Sequence, residues 1–382
     1  MDFALSDDEE LFRRTVREFA DGVLAPAAAD ADESGAFTAE TLRQTAEVGL
    51  LGMLAPEEYG GAGVDTLRFV LAMEEVARAC AAMATVLNVN NALTCGPLLL
   101  AGTAEQKARW LPALCCGEAL GAFCLSEPET GSDVASTQTR AVAVDGGWQL
   151  DGQKTWVTNG GLAGVYIVFA STTPEARGRG LSAFLVAEDT PGLTVGAPLE
   201  KLGIRGSVTT DLTLAGCRIG AEALLGERDD GFRLAMRTLE LGRIGIAAQA
   251  LGIAQASLDA ALAYAQEREQ FGRPIAEFQG LRWMLADLAL AVDAARLLTY
   301  RAAWQRDAGR PYGRAAAMAK LHASETAMQA ATKAIQIHGG YGYMRESPVQ
   351  RYFRDAKITE IYEGTSEIQR VVIAADLLPP RR

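Results

Sequence analysis

RAVAVDGGWQLDG, residues 140–152, marks a change of structural class in the middle of the chain. Two short runs of alternating or β-branched residues flank Asp145-Gly146-Gly147. An Asp-Gly pair between such runs predicts a β-hairpin, because its turn requires residues that tolerate positive φ. The segment therefore predicts a pair of antiparallel strands.

The same strand-like pattern extends in both directions, from about residue 120 to residue 226. Further β-branched or alternating runs occupy residues 155–158, 165–170, 182–186 and 211–214. Strands do not alternate with helical patterns here, so a doubly wound nucleotide-binding sheet is not indicated. We predict a middle domain at residues 118–228 that is built on an antiparallel β-sheet.

Helical patterns occupy both sides of this block. The chain opens with a capping box formed by Ser6 and Glu9, followed by apolar residues at helical spacing. After the β block, periodicity predicts three long helices at residues 231–268, 280–306 and 315–336. The predicted fold is therefore α+β, with a helical domain at residues 1–117, the β domain at 118–228 and a C-terminal four-helix bundle at 229–382.

Charge and cysteine content exclude several classes of function. The 382 residues carry a formal net charge of −12, whereas binding to nucleic acid or anionic membranes needs a basic face. The six cysteines show no Cys-x-x-Cys spacing and are interpreted as buried hydrophobes in a reducing compartment. The first residues lack a signal-peptide pattern, and no run of about 18 apolar residues occurs. We expect a cytoplasmic protein without a membrane span.

Acid–base chemistry must rest on a carboxylate, because only two histidines occur. His322 and His338 are too far apart in sequence for a helical metal pair, and neither lies in a ligand cluster. The main candidate is Glu363, within IYEGTSEIQR at residues 361–370, because a glycine-broken link between helices can direct a side chain into a cavity. The alternative is that Glu363 only stabilises the positive N-terminal end of the following helix.

Two segments of the β block carry groups suited to a flat or phosphorylated ligand. Residues 123–133, FCLSEPETGSD, present hydroxyl and backbone donors, although an ordinary capped turn also explains them. Trp156 and Thr158 share one face of a strand and could contact a heterocycle, although Trp156 could instead pack in the β core.

The C-terminal block adds glycines and arginines. QIHGGYGY, residues 336–343, ends a helix, where C-capping explains at least one glycine. Together with Arg268 it offers bare backbone and a guanidinium for a phosphate. Arg243 lies in an apolar part of the longest helix, where a buried arginine needs a partner, and a structural carboxylate is as good an explanation as a ligand.

These motifs together resemble the acyl-CoA dehydrogenase family, over essentially the whole chain and in the same order. The resemblance rests on LSEPETGSD at residues 125–133, on RYFRD at 351–355 and on IYEGTSEIQR at 361–370. The family implies the α, β, α order of domains. Some relatives carry the base on the long helix, at the position of Gly242, so a glycine there favours Glu363 and the short-chain, butyryl-CoA type of member.

The resemblance implies FAD between the β domain and the C-terminal bundle. Around the isoalloxazine it implies Phe123, Leu125, Ser126, Gly131, Ser132, Trp156 and Thr158. For the adenine-diphosphate portion it implies Arg268, Phe271, Phe278 and Gln279, joined from a neighbouring subunit by Gln336, Gly339 and Gly340. Gly364, Thr365 and Glu367 would complete the site. A cofactor shared between subunits implies a homo-oligomer, which is commonly a tetramer in this family.

The resemblance also implies the reaction. Glu363 would remove the α-proton of a short- or branched-chain acyl-CoA thioester while the β-hydrogen leaves as hydride, giving a trans-2-enoyl-CoA, and the electrons would pass to an electron-transferring flavoprotein. The substrate channel would be lined by Ser132, Glu240, Arg243, Glu363 and Gly364. Arg177 and Arg179 could contact the CoA phosphates.

Two alternatives remain open at this point. The acyl group could be carried by a carrier protein in a biosynthetic pathway, which would require a basic docking patch near the tunnel mouth. The chain could also be a flavin-binding paralogue without catalysis. The intact Glu363 speaks against that second alternative, because a non-catalytic relative has no need for a base.

Overall fold

Two helical blocks flank one β-sheet in the computed structural model, which describes residues 4–378. Residues 1–3 and 379–382, the outer ends of the predicted first and third domains, lie outside the described residues. The capping box is confirmed, since Ser6 Oγ accepts from the Glu9 amide at 3.3 Å and Glu9 Oε2 from the Ser6 amide at 2.7 Å. The N-terminal block contains α1 (Asp7–Phe19), α2 (Ala25–Ser34), α3 (Ala39–Glu47), α4 (Thr66–Ala79), α5 (Ala81–Asn88), α6 (Gly96–Ala101) and α7 (Ala104–Cys116).

The middle block forms an eight-stranded sheet with the strand order β6-β7-β3-β2-β4-β5-β8, and β1 lies beside β4. The predicted hairpin is confirmed, because β2 and β3 are antiparallel up to the pair Val144 and Gly147, with Gly146 in the turn at φ 77°. The strands are β1 (Leu120–Cys124), β2 (Arg140–Val144), β3 (Gly147–Thr158), β4 (Ala163–Ser171), β5 (Leu181–Ala187), β6 (Leu193–Val195), β7 (Thr209–Gly220) and β8 (Leu224–Leu225).

The sheet is mixed, which corrects the prediction of a purely antiparallel domain. β1 runs parallel to β4 from Leu120 to Cys124, and a single parallel pairing joins Arg140 of β2 to Ser171 of β4. The chain enters β1 from a helix of the N-terminal block and not through a hairpin. No tight turn therefore forces β1 to run antiparallel to its neighbour.

A β-bulge in β3 positions an aromatic side chain at the surface of the sheet. The register between β3 and β7 shifts between Lys154 and Val157, and Trp156 within this interval has φ 55°. Its indole is 61% exposed. Bulges redirect side chains in this way, so Trp156 does not pack in the β core, which was the structural alternative considered for it.

The C-terminal block is organised around α8 (Gly231–Glu267), whose 37 residues span about 55 Å at ~1.5 Å per residue. The three predicted long helices are confirmed. Within residues 4–378, the C-terminal block contains five helices and not the four expected of the bundle, because the chain after the third long helix folds into two shorter helices. A two-stranded ribbon, β9 (Glu269–Gln270) and β10 (Arg273–Pro274), follows α8, and the remaining helices are α9 (Gln279–Asp307), α10 (Gly313–His338), α11 (Pro348–Thr359) and α12 (Ser366–Leu377).

One hydrophobic core joins the two helical blocks. Helix α8 packs on α4, α9 and α10, and the approach to α4 is close, since a Cβ at Gly252 would lie 2.4 Å from the carbonyl oxygen of Glu74. Within residues 4–378, α8 alone has the length and hydropathy of a membrane span, but 72% of that apolar window is buried inside the protein. The packing of α5, α8 and α10 determines what surrounds the link between α11 and α12.

Candidate active site

Glu363 lies in the short link between α11 and α12, in a backbone conformation that residues other than glycine rarely adopt. Its φ is 54° and that of Gly364 is 96°, so two successive residues occupy the left-handed region. Such a conformation costs free energy for a non-glycine residue and is typical of functional sites. It turns the Glu363 carboxylate away from α12 and towards α8.

Hydrogen bonds from three helices hold this link in place. Lys320 of α10 donates to the carbonyl oxygen of Gly364 at 2.7 Å, and Gln369 of α12 donates to the same oxygen at 2.8 Å. Tyr362, the residue before Glu363, donates through its hydroxyl to Gln249 of α8. The position of the carboxylate is therefore set by rigid elements and not by the loop alone.

The carboxylate does not serve as the cap of α12. Thr365 has that role, because its hydroxyl accepts from the Ile368 amide at 3.3 Å. Glu363 Oε1 instead accepts from Asn88 Nδ2 at 2.7 Å, and Glu363 Oε2 is buried without a hydrogen-bond partner among the described residues. Burial raises the pKa of Glu363 to about 7, although Lys320, Arg243 and Asn88 each act to lower it.

Gly242 of α8 leaves the space that this carboxylate occupies. A Cβ at residue 242 would lie 2.1 Å from Glu363 Oε2 and 2.8 Å from Cδ2 of Leu93. Both distances are shorter than van der Waals contact allows. The glycine that sequence analysis noted as an empty base position therefore also makes room for the base on the opposite link.

Two buried cations lie near Glu363. Arg243 is 6% exposed, its Nε lacks a hydrogen-bond partner within residues 4–378, and burial lowers its pKa. Lys320 is fully buried, and burial lowers its pKa to about 8. Glu240, one turn from Arg243, is half-buried and has its pKa raised by burial. A ligand with hydrogen-bond acceptors would satisfy Arg243, since unpaired buried polar groups are rare in native proteins.

Four residues around this site were not predicted from the sequence: Asn88, Gln249, Lys320 and Gln369. Each is fully buried in a helix or at a helix end. The available signal was a polar side chain inside a strongly apolar or alanine-rich run, such as Lys320 after AAAMA. That pattern alone does not say where the side chain points.

The loop at residues 123–133 is fixed to the sheet by a buried ion pair. Glu127 and Lys154 lie 2.7 Å apart at 3% and 0% side-chain exposure, and Glu127 also accepts from the amides of Gln138 and Thr139 at 2.6 and 2.9 Å. Glu127 therefore has a structural role in this loop. Phe123 and Ser126 are half-buried, Leu125 is buried, and Gly131 and Ser132 are exposed.

This loop and the end of β3 meet. A Cβ at Gly131 would lie 4.0 Å from the Trp156 ring, and the Thr155 amide donates to the carbonyl oxygen of Ser126 at 3.0 Å. Thr158 is half-buried two residues beyond Trp156. Parts of the predicted isoalloxazine region thus adjoin, with the exposed Trp156 indole near the backbone of Gly131.

A cavity of about 620 Å³ lies at the C-terminal end of α8. Arg268, Gly339 and Gly340 of one protomer line it together, and a Cβ at either glycine would meet nothing within 4 Å. The other lining residues are Tyr264, Gln270, Ile275, Ile337, His338, Tyr341 and Met344. Within one protomer, Arg268 lies beside Gly339 and Gly340, whereas the resemblance implied that Gln336, Gly339 and Gly340 join it from a neighbouring subunit.

The remaining residues predicted for the adenine-diphosphate portion, Phe271, Phe278, Gln279 and Gln336, do not line this cavity. Phe271 is 93% exposed at φ 55° and packs its ring edge to face with Phe278, with 6.0 Å between ring centres. Gln279 and Gln336 are exposed. His338, which lies before the two glycines, stacks on Tyr264 with 4.2 Å between ring centres, so its ring packs within the protomer.

Glu363 and the region around Arg268 are far apart within one chain. Gly242 marks the position of Glu363 along α8, and Arg268 follows the last residue of that helix. The helix between them spans about 39 Å at ~1.5 Å per residue. In one protomer, the base and the region around Arg268 therefore lie well apart along α8.

Another, smaller cavity of about 220 Å³ lies between the loop after residue 133 and the loop before β5. Arg177 lines it and donates to Ser136 Oγ at 2.9 Å, and Arg140 also lines it. Arg179, which sequence analysis grouped with Arg177, is not among the lining residues. Within residues 4–378 no group of three or more metal-ligating side chains occurs, and the six cysteines are free.

Comparison with known proteins agrees with the geometry. Models of the acyl-CoA dehydrogenase N-terminal, middle and C-terminal domains match residues 6–118, 122–217 and 229–378. The short-chain specific acyl-CoA dehydrogenase, mitochondrial, of Mus musculus is 50% identical over 98% of this chain and 91% of its own length.

Two solved structures are similarly close. Butyryl-CoA dehydrogenase from Megasphaera elsdenii has a TM-score of 0.96 at 43% identity and covers 99% of this chain and 100% of its own. A chain from the structure of the electron transferring flavoprotein of Acidaminococcus fermentans has a TM-score of 0.97 at 43% identity, with the same coverage. The chain therefore belongs to the acyl-CoA dehydrogenase family, and it is an oxidoreductase that acts on CH–CH groups.

Proposed function

We propose that this protein desaturates short acyl-CoA thioesters between the α- and β-carbons, with Glu363 as the base. The observation that carries the proposal is the Glu363 carboxylate, which has one buried oxygen without a hydrogen-bond partner in the part of the chain that the structure describes and a pKa raised to about 7. A general base is most effective when its pKa lies near the working pH. Sequence similarity to a short-chain specific enzyme and to a butyryl-CoA dehydrogenase supports a substrate with a short acyl group.

The residues present fit FAD. The exposed Trp156 indole beside Gly131 offers an aromatic face with close backbone, and the open glycines Gly339 and Gly340 beside Arg268 offer amides and a guanidinium for a diphosphate. When bound, FAD supplies the acceptor for the hydride that leaves the β-carbon. Ser126, Ser132, Thr158, Thr365 and Glu367 would provide further polar contacts at the ring end.

The protein's own residues hold and move the α-proton. Glu363 Oε2 receives it, while the thioester carbonyl needs hydrogen-bond donors because enolate charge develops on its oxygen. The cations Arg243 and Lys320 keep part of the Glu363 population ionised despite burial. Exclusion of water by the surrounding helices strengthens each of these interactions.

The decisive experiment is anaerobic titration of the purified protein with acyl-CoAs of increasing length and branching, followed by loss of flavin absorbance. We expect bleaching by short straight-chain substrates. If no acyl-CoA bleaches the flavin, the proposal fails. The same titration with acyl groups on a carrier protein tests the biosynthetic alternative, and addition of an electron-transferring flavoprotein tests the proposed acceptor.

The distance of about 39 Å along α8 between the level of Glu363 and Arg268 supports a homo-oligomer, in which the region near Arg268 serves a flavin whose ring lies in another subunit.

An exposed stripe on α9 offers a surface for this assembly. Trp283, Leu290, Leu297 and Trp304 recur every seven residues and are 62%, 71%, 44% and 49% exposed. Apolar residues at this spacing form one seam along a helix, and a second copy of the chain would cover it.

We predict that Leu290→Glu lowers the oligomeric state and weakens FAD binding, because a charge would have to be buried in the seam. Size-exclusion chromatography with light scattering and the ratio of flavin to protein absorbance measure the two effects. Leu11→Glu is the control, since Leu11 is 54% exposed on α1. An unchanged mass with full flavin content would contradict this role of α9.

We predict that Arg177→Ala raises KM for an acyl-CoA by about fivefold, because the guanidinium would no longer contact a CoA phosphate. An exposed ionic contact of this kind is worth about 1 kcal/mol. KM for the corresponding acyl-pantetheine, which lacks the phosphates, should stay constant. Arg179→Ala is the matched control, because it removes the same charge from the same loop outside the cavity. Equal effects of both variants would indicate general electrostatics instead of a phosphate contact.

A further inference from the structure

Two glycines on one face of α8 form a groove that holds two polar side chains from elsewhere in the chain. Gly242 and Gly245 are three residues apart, so they face the same side of the helix. A Cβ at Gly242 would lie 2.1 Å from Glu363 Oε2, and one at Gly245 would lie 1.8 Å from Asn88 Oδ1. Any side chain at either position would displace one member of this pair.

Asn88, the last residue of α5, joins the base to the wall of this groove. Its Nδ2 donates to Glu363 Oε1 at 2.7 Å and approaches the carbonyl oxygen of Gly242 at 3.4 Å. The side chain is fully buried. One amide group therefore contacts both the carboxylate and the backbone of the helix that lines the site, which fixes the carboxylate in two directions.

The two oxygens of Glu363 are consequently not equivalent. Oε1 is occupied by Asn88, whereas Oε2 faces the Gly242 gap and has no hydrogen-bond partner within residues 4–378. A carboxylate that is held at one oxygen and free at the other presents one defined oxygen to a proton donor. Positioning of this kind is a large part of what a site contributes to proton transfer.

We propose that Asn88 is a positioning residue for the base, holding Glu363 Oε1 in the α8 groove so that Oε2 is the atom that accepts the substrate α-proton. This inference rests on the proposed function of Glu363. The amide also interacts preferentially with the ionised carboxylate, because it donates a hydrogen bond to it. Asn88 is thus expected to affect the charge state of the base as well as its direction.

The other groups that face Glu363 come from each packed element. Arg243 lies on α8, Lys320 on α10 and Tyr362 next to Glu363 in the link, and all three interact electrostatically with it. Glu240 acts on Arg243, and Glu360 and Glu367 act on Lys320. None of these groups is changed by a substitution at residue 88, so a shift in the pH profile reports the Asn88 contact.

The test measures the limiting rate of flavin reduction by an acyl-CoA against pH, under anaerobic conditions, for the complete protein with FAD. Asn88→Ala removes the donor, and Asn88→Asp keeps the volume but places a second carboxylate beside the first. Loss of a hydrogen bond that favours the ionised carboxylate raises the pKa of that carboxylate. We expect the apparent pKa to rise by about one unit in Asn88→Ala and by more in Asn88→Asp, with little change in KM.

The matched control is Asn91→Ala. Asn91 is equally buried, three residues further along, but its amide donates to the backbone carbonyls of Leu50 and Leu87 at 2.9 and 3.0 Å. Its loss should lower the melting temperature without moving the pH profile. If Asn88→Ala fails to hold FAD, the isosteric Asn88→Asp variant decides.

The possible outcomes separate the two proposals. If the wild-type flavin is not reduced by any acyl-CoA, the proposed function fails and the role of Asn88 fails with it. If wild type and Asn91→Ala share one profile and the Asn88 variants also share it, only the positioning role is overturned. The rank order Asn88→Asp above Asn88→Ala above wild type in apparent pKa supports it.

Discussion

Glu363→Gln is expected to abolish flavin reduction by acyl-CoA while FAD and ligand stay bound. The substitution keeps the shape of the side chain and its contact with Asn88 but removes the oxygen that accepts a proton. Loss of a general base costs on the order of 10⁴-fold in rate, and the glycine at residue 242 cannot replace it. Anaerobic stopped-flow reduction and the flavin-to-protein ratio measure the two quantities. Substantial residual reduction would identify another base.

The wild-type enzyme should show the corresponding pH dependence. Only the ionised carboxylate accepts a proton, so the reduction rate should increase as pH rises through about 7, the pKa of Glu363. The same shift has a thermodynamic consequence. Because the folded-state pKa lies above its ordinary value of 4.5, the stability that the protonated carboxyl contributes is lost as pH rises from about 4.5 to above 7.

Glu363→Gln has no such ionisation, so its stability relative to wild type should increase across that window. Melting temperatures of both proteins at about pH 5 and about pH 8 would measure this difference without any turnover. A difference that stays constant between the two pH values would contradict the raised pKa. The measurement also shows whether the variant is folded when its activity is lost.

The second large effect is expected at Gly242. In Gly242→Ala the new Cβ would lie 2.1 Å from Glu363 Oε2 and 2.8 Å from Leu93, so the carboxylate must move by about 1 Å or more to restore van der Waals contact. A displacement of about 1 Å in a catalytic group can cost about 10²-fold in rate. We expect that loss in flavin reduction, with FAD content retained.

The control for this substitution is Gly22→Ala. A Cβ at Gly22 would meet nothing within 4 Å, and the change from glycine to alanine in a helical segment is otherwise the same. Wild-type activity in Gly242→Ala would mean that Glu363 functions from a different position than the one beside α8. Loss of activity in both variants would point to a general effect on folding.

Much of the fold could be predicted from local patterns. The hairpin at residues 145–147, the Ser6 capping box and the three long helices follow from turn residues, capping residues and apolar periodicity, which are properties of neighbouring positions. The parallel pairing of β1 with β4 was missed, because it depends on where the chain enters the sheet. That entry point has no local signature.

The candidate site divides in the same way. Glu363 could be singled out because it lies in a glycine-broken link between helices, and Gly242 because the family resemblance puts an alternative base at that position. Trp156 could be identified as a candidate, but the bulge that exposes it arises from the register between β3 and β7. Asn88 and Lys320 were missed, because a polar residue in an apolar helix does not reveal the direction of its side chain.

The sequence by itself determined the order of the domains, the family resemblance and the identity of the candidate base. Only the tertiary structure decided what the base contacts, since Asn88 and Glu363 lie 275 positions apart and meet through the groove in α8. It also brought Arg268 and Gly340 into one cavity and placed that cavity far from Glu363. The physical reason is that spacing along the chain encodes local conformation, whereas the burial and charge of a group depend on which helices pack around it.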